Sequence, residues 1–267
     1  GMLFEQRRES FPELDTAKSV VSAIKAAQPR ITSERELPAD LIKHITDKGL
    51  LKLLLPKSLG GSELSLPKFI RCIEVIGQAD GSTGWCVGQG GVFPNLADYM
   101  PRESAEAIWI NNPNAVVATG TPTGSVARKT ADGYSLTGRW RFASGVMHAT
   151  WLGAMSNIVD EQDNVTGFGM FLVPRERVKL GDGWDVSGLR GTGSREYTLS
   201  DEAIPEARSL MGYVLRDHCG LATQLPAQLL FASGFGSVGL GIARSSLDAL
   251  LDLIEDRTPF PTSPRLL

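Results

Sequence analysis

Gly138-Arg139-Trp140-Arg141-Phe142-Ala143-Ser144-Gly145-Val146-Met147-His148-Ala149-Thr150-Trp151 gathers two tryptophans, a serine–glycine corner and one of three histidines into a single stretch. Aromatic and charged residues alternate from Arg139 to Phe142, as on a half-buried strand. The small residues that follow let a flat, polar-edged ligand approach the backbone, because glycine has no Cβ and few forbidden backbone angles. Ser144 adds a hydroxyl at that corner, and His148 a ring that titrates near neutrality and suits general acid or base work. A second glycine-rich run, Gly188-Leu189-Arg190-Gly191-Thr192-Gly193-Ser194, follows Trp184-Asp185. Together the two runs point to a cofactor held by a β-domain rather than by a nucleotide-binding βαβ unit. His44 and His218 stand in no comparable context and read as surface or packing residues.

These residues need a scaffold, and the chain offers three zones. Up to about residue 112 the spacing is helical. Leu37-Pro38-Ala39-Asp40-Leu41-Ile42-Lys43-His44-Ile45 predicts one helix, with Gly49 as its stop. Phe69, Ile70, Ile73 and Ile76 predict another over 67–79, and Asp80-Gly81-Ser82-Thr83 breaks it and caps the next. Glu103 to Trp109 predicts a further short helix. From Ala115 to about Ser209 the pattern becomes short strands separated by Gly, Asp and Asn, with Asp132-Gly133 as a hairpin turn. The clearest strands are 116–119, 134–137, 151–155, 169–173 and 196–199, which suggests a compact barrel or sandwich. After Arg208 helical spacing returns, rich in Ala and Gly from Leu225 to Asp256 and ended by Pro259 and Pro261.

A length of 267 residues implies two or three domains. The net charge of −3 and the lack of a basic block argue against nucleic acid as a partner, since phosphate binding needs a dense Lys/Arg footprint. Cys72, Cys86 and Cys219 are odd in number and lack metal-ligand spacing. They read as reduced, buried thiols of a cytoplasmic protein, with no metal site. No membrane-length apolar run or secretory leader is visible, so the expectation is a cytoplasmic chain without membrane contact.

Residues 37 to 260 resemble the acyl-CoA dehydrogenase superfamily of flavoproteins, and within it most resemble the two-component flavin monooxygenases. The pieces that carry the resemblance are Asp80-Gly81-Ser82-Thr83-Gly84-Trp85, Gly120-Thr121-Pro122-Thr123-Gly124, Gly138 to Trp151, Gly188 to Ser194, and Ala203-Ile204-Pro205-Glu206-Ala207-Arg208. The resemblance implies an α+β multidomain fold: an N-terminal α-helical domain (1–113), a middle β-barrel domain (114–212) and the start of a C-terminal helical-bundle domain (213–267), truncated relative to the family. It also implies a flavin, FAD or FMN. The turn carrying Thr119, Thr121 and Thr123 would offer N–H and hydroxyl groups to the pyrimidine edge of the ring. Trp140 or Phe142 would supply its apolar wall, and Ser144 would bond N5 or O4. Trp85 opens a helix that lines the substrate cavity in relatives, and Arg190 and Thr192 lie in the loop that shapes the substrate side. Arg257-Thr258-Pro259-Phe260 resembles an element that reaches a neighbour's flavin pyrophosphate. Pro261 replaces that element's glycine, which favours FMN, or reduced flavin taken from solution, over tightly held FAD.

The function implied is that of a flavin-dependent oxidoreductase, a reduced-flavin monooxygenase hydroxylating an aromatic or related small molecule. A separate flavin reductase would supply it, and the chain would assemble as a homotetramer. Two alternatives stand: an acyl-CoA dehydrogenase acting on thioesters with FAD, and a non-catalytic flavin-binding subunit. The family's catalytic base lies on helices past the position of Leu267, leaving Ser144 and His148 as this chain's catalytic candidates.

Overall fold

The computed structural model describes residues 9–143, 145–181 and 195–211. Its first part is helical: α1 (Pro12–Ser19), α2 (Val21–Glu34), α3 (Ala39–Asp47), α4 (Leu66–Ala79), α5 (Gly81–Val92) and the short α6 (Arg102–Ala105), which runs into a wider π turn over Glu106–Ile110. Helix α3 ends as its sequence predicts: Gly49 takes a left-handed φ of 74° and donates its N–H to Thr46 O. Asp80 caps α5, its carboxylate accepting from the Thr83 N–H at 2.8 Å and the Thr83 hydroxyl at 2.7 Å. Two glycines let α4 and α5 approach closely, since a Cβ on Gly84 would lie 2.5 Å from Gly77 Cα. The buried faces of α1 to α5 form one core around Ile24, Leu41, Ile45, Phe69, Ile73 and Val87.

The strands are β1 (Val117–Thr119), β2 (Thr121–Pro122), β3 (Val126–Lys129), β4 (Gly133–Ala143), β5 (Trp151–Val159), β6 (Val165–Pro174), β7 (Lys179–Leu180), β8 (Arg195–Pro205) and β9 (Ser209–Met211). They make one sheet in the order β7-β8-β4-β3-β5-β6-β9, with β1 added on β5 and β2 on β4. The pairs are antiparallel except that β1 and β3 both run parallel to β5. The sheet is rolled. Tyr134 on β4 and Met211 on β9 are four strands apart in the order, roughly 19 Å in a flat sheet at ~4.8 Å per strand. Yet the Tyr134 hydroxyl sits 3.5 Å from Met211 Sδ, which only a curled sheet allows. The expected barrel is thus a rolled sheet whose end strands, β7 and β9, are not paired with each other among the described residues. Leu136, Trp140, Leu152, Phe171, Val173 and Tyr197 fill its inside.

A third core joins helices to sheet, with Phe93, Leu96, Ile108 and Trp109 packed against Val117, Met170, Leu172 and Leu210. Contact there is close enough that a Cβ on Gly153 would lie 2.4 Å from the Phe93 ring. Among the described residues no helix is long and apolar enough to cross a membrane.

Candidate functional site: a loop excursion, a charged strand face and a closed cleft

Strand β1 pairs with Trp151–Gly153 of β5, and β3 resumes the pairing at Asn157. Between them the chain uses residues 120–125 where β5 uses only 154–156, so the intervening segment must bulge away from β5. Strand β2 lies within this excursion and pairs with β4, Thr121 opposite Arg141 and Pro122 opposite Trp140. The departure strips β5 of a neighbour, and side chains replace it: Met155 O accepts the Trp140 Nε1–H at 2.9 Å and the Ser125 hydroxyl at 3.4 Å. At the far end of the excursion Gly124 has φ 75° with open space where a Cβ would sit, so backbone conformation rather than crowding selects glycine.

Thr119 is buried, whereas Thr121 and Thr123 are exposed. Thr123 is tied to β4 twice, its N–H at 2.8 Å and its hydroxyl at 3.2 Å from Arg139 O. Thr121 and Thr123 therefore flank Arg141 and Arg139 on the outer side of β4. Both guanidiniums reach a single carboxylate through Nε, Arg139 to Glu196 Oε1 at 3.0 Å and Arg141 to Glu196 Oε2 at 3.2 Å.

Trp140 corrects an expectation. Its ring is fully buried and stacks on Tyr197, with centroids 5.1 Å apart and planes 9° from parallel. It packs the sheet interior and has no open face to offer as a ligand's wall. Its indole N–H closes the hole left by the excursion. The Phe142 side chain, Ser144, Arg190, Thr192 and Arg257 lie outside the described residues.

Helix α5 and the chain after Ser144 meet at a narrow, mostly apolar cleft lined by Ile42, Leu51, Cys86, Val87, Gly90, Val116, Val117 and Gly145. Its free volume of about 10 Å³ holds the centre of roughly one water, so the cleft is closed and an aromatic ring would have to widen it. Burial pushes the Cys86 thiol up to about 12, which keeps it protonated and inert at neutral pH. The same cause raises Cys72 to about 12. Trp85 is half-buried against the helical core, so α5 lines the cleft through Cys86, Val87 and Gly90 and not through the tryptophan. His148 is half-buried with Nε2 2.5 Å from Leu37 O. A carbonyl only accepts, so Nε2 carries the proton, and the ring ties the sheet domain to the chain entering α3. That is a positioning contact, and it commits one of the two nitrogens a general acid or base would use.

Arg139, Arg141 and Glu196 form a charged group that the sequence alone does not reveal. Alternation with Trp140 marks the arginines only as the solvent side of a strand, and Glu196 enters across β8, from far along the chain. No cluster of His, Cys, Asp and Glu suited to a metal occurs among the described residues.

The class of architecture is a helical domain packed on a rolled sheet, with a glycine-bearing excursion on one strand face and a cleft between the layers. Residues 15–105 match the acyl-CoA dehydrogenase N-terminal domain, and the chain belongs to the acyl-CoA dehydrogenase superfamily. It is similar to the indole-3-acetate monooxygenase of Pseudomonas putida, 30% identical over 233 residues, covering 87% of this chain and 59% of that enzyme. Similarity to the flavin-dependent monooxygenase oxygenase subunit HsaA of Mycobacterium tuberculosis is also 30%, over 78% of this chain and 55% of that protein. The crystal structure of the HsaA monooxygenase superposes with a TM-score of 0.82 at 25% identity, over 94% of this chain and 68% of that one. XiaF from Streptomyces, solved with FADH2 and glycerol, gives 0.79 at 25% identity, over 94% and 65%. The chain thus spans little more than half the length of the curated relatives it matches.

Proposed function

We propose that the chain works as the oxygenase component of a two-component flavin monooxygenase and hydroxylates a small aromatic molecule. The observation that carries this reading is the excursion at 120–125, in a chain whose relatives over most of its length are flavin-dependent monooxygenases. The donor set fits a flavin: an exposed hydroxyl at Thr121, one at Thr123 that would turn from Arg139 O to the ring, a buried one at Thr119, and an open backbone at Gly124 suit a flat ring with carbonyl edges. Bound reduced flavin would supply the electrons that activate oxygen. The chain's own residues bind and orient. Thr121 and Thr123 hold the ring edge and Ser144 bonds it at the strand end. Val87, Val116 and Val117 keep water from the cleft where the substrate ring enters.

A separate reductase would deliver the reduced flavin, and the chain would act as a homotetramer in the cytoplasm. The buried free thiols of Cys72 and Cys86 accord with a reducing compartment.

The test supplies the protein with a flavin reductase, NADH and indole-3-acetate or a simple phenol under labelled oxygen, and reads the label in the product by mass spectrometry. Incorporation dependent on this chain supports the proposal. Anaerobic bleaching of its oxidised flavin by acyl-CoA thioesters, without label incorporation, would assign dehydrogenation instead. Flavin binding with neither reaction would leave a binding subunit.

A further inference from the structure

The glycines of helix α5 do not all serve its packing. Glycine is the poorest helix former after proline, so each one inside a helix needs a reason. Two have theirs on the side of α4: a Cβ on Gly84 would lie 2.5 Å from Gly77 Cα, and one on Gly91 would lie 2.9 Å from the Phe69 ring. Gly90 has no such reason. A Cβ there would meet Leu51 Cδ2 at 3.4 Å and Val117 O at 3.7 Å, ordinary van der Waals distances that alanine would accept. Its backbone is helical, and the chain runs on from Val92 into a 3-10 turn over Phe93–Tyr99, so no helix cap requires glycine either. Gly90, Leu51 and Val117 all line the closed cleft, so the missing methyl would project into it. Glycine at this position therefore weakens the helix and leaves space in the cleft alone.

We propose that Gly90 sets the size of the aromatic ring that the cleft admits, with Leu51 as the movable plug beside it. The inference rests on the reading above that the substrate ring enters this cleft. In the structure a Leu51 methyl stands against Gly90, and the free volume holds roughly one water. Two other walls have little room to yield. Val116, at the start of β1, is bound to Thr150 from both sides, its carbonyl accepting from the Thr150 N–H at 2.8 Å and its N–H donating to Thr150 Oγ1 at 3.0 Å. Helix α5 is seated on α4 by the close approach at Gly84. Leu51 is a side chain and can change rotamer. Ring entry turns it aside and lays the ring against bare backbone at Gly90. A methyl on residue 90 would fill that space from the rigid side, where no rotamer change removes it. One carbon in an apolar pocket discriminates by about 10- to 200-fold. A single ring needs less of the space than a fused pair, so the fused pair should suffer more.

The test titrates phenol and indole calorimetrically into wild type, Gly90→Ala, and Gly90→Ala combined with Leu51→Ala, beside thermal melting and flavin binding of each. Gly90→Ala should melt about 2–4 °C higher, the scale of one helix glycine replaced in a chain of this size. Its flavin affinity should hold. It should bind indole about tenfold or more weaker than wild type, and lose less for phenol. Adding Leu51→Ala should return part of the indole affinity, because space lost on one side of the cleft is regained on the other. Unchanged indole affinity in Gly90→Ala, or equal losses for phenol and indole, would overturn the proposal. So would a lower melting temperature, which would make Gly90 a packing glycine like Gly84. Gly90→Ala alone decides these points if the double variant does not fold. A wild-type protein that binds neither ring would overturn the proposal and the cleft reading together. Indole discrimination that depends on Gly90, in a protein that yields no labelled product with the reductase, would overturn the monooxygenase reading and leave this one standing.

Discussion

Leu136 and Trp140 on β4 face the interior of the rolled sheet, whereas Thr137, Arg139 and Arg141 on the same strand face out. The inner row is closed. Trp140 stacks on Tyr197, and its one polar atom is spent on Met155 O. The outer row holds its charges in a shared carboxylate and keeps donors facing solvent. Adjacent residues therefore answer to different physics: packing and polar satisfaction within, pre-oriented charge without. The comparison sets a packed side of the strand against a solvated one, and substitutions can test that division.

The largest effect is expected at Trp140. Trp140→Ala removes a fully buried ring and its stack on Tyr197, and takes a donor from Met155 O, at a cost of about 3–5 kcal/mol. Urea unfolding followed by circular dichroism measures it. A loss below about 1 kcal/mol, the scale of a surface change, would mean that the inner row is not what holds the sheet together.

Next is Gly153, where the sheet meets the helical domain. A Cβ there would lie 2.4 Å from the Phe93 ring and 2.9 Å from Met170 Sδ. Gly153→Ala should lower stability by about 1–3 kcal/mol as the ring is forced aside. Restoration by Phe93→Leu in the same chain would show that the clash, rather than a backbone change, is the cause.

His148→Ala comes third. It removes the donor at Leu37 O, for about 0.5–1.5 kcal/mol. Hydrogen exchange at the start of α3 should quicken. A variant with unchanged stability that nevertheless loses product formation would move His148 from positioning to chemistry.

Much of this division was legible in the sequence. Helices with clear 3.6-residue spacing, the stop at Gly49 and the cap at Asp80 depend on neighbours in the chain, and local rules reach them. Alternation around Trp140 marks two faces but does not say which meets a ligand, and the tryptophan was expected at a flavin's wall. What decided otherwise was Tyr197, brought over on β8 by long-range pairing. Glu196 arrived with the same strand, so the arginine pair could not be seen as a pair from β4 alone. The excursion at 120–125 was legible as a Gly/Pro turn, but its cause was not. It follows from β1 and β3 both choosing β5 as a parallel neighbour, and no local signal encodes that choice.

The smallest change in stability is expected on the outer row. Arg139→Gln with Arg141→Gln removes two half-exposed charges whose ion pairs are screened by solvent, so unfolding should shift by no more than about 0.5 kcal/mol. Each glutamine keeps a similar stem against the sheet, so Thr123 still has the Arg139 backbone carbonyl as its acceptor and β2 stays in register. Thermal melting of the double variant beside wild type, at low and high salt, measures the shift. If the outer row is not structural, the two melting curves coincide at high salt. A drop comparable to that of Trp140→Ala would show that the arginines are structural and that the two sides of β4 do the same work.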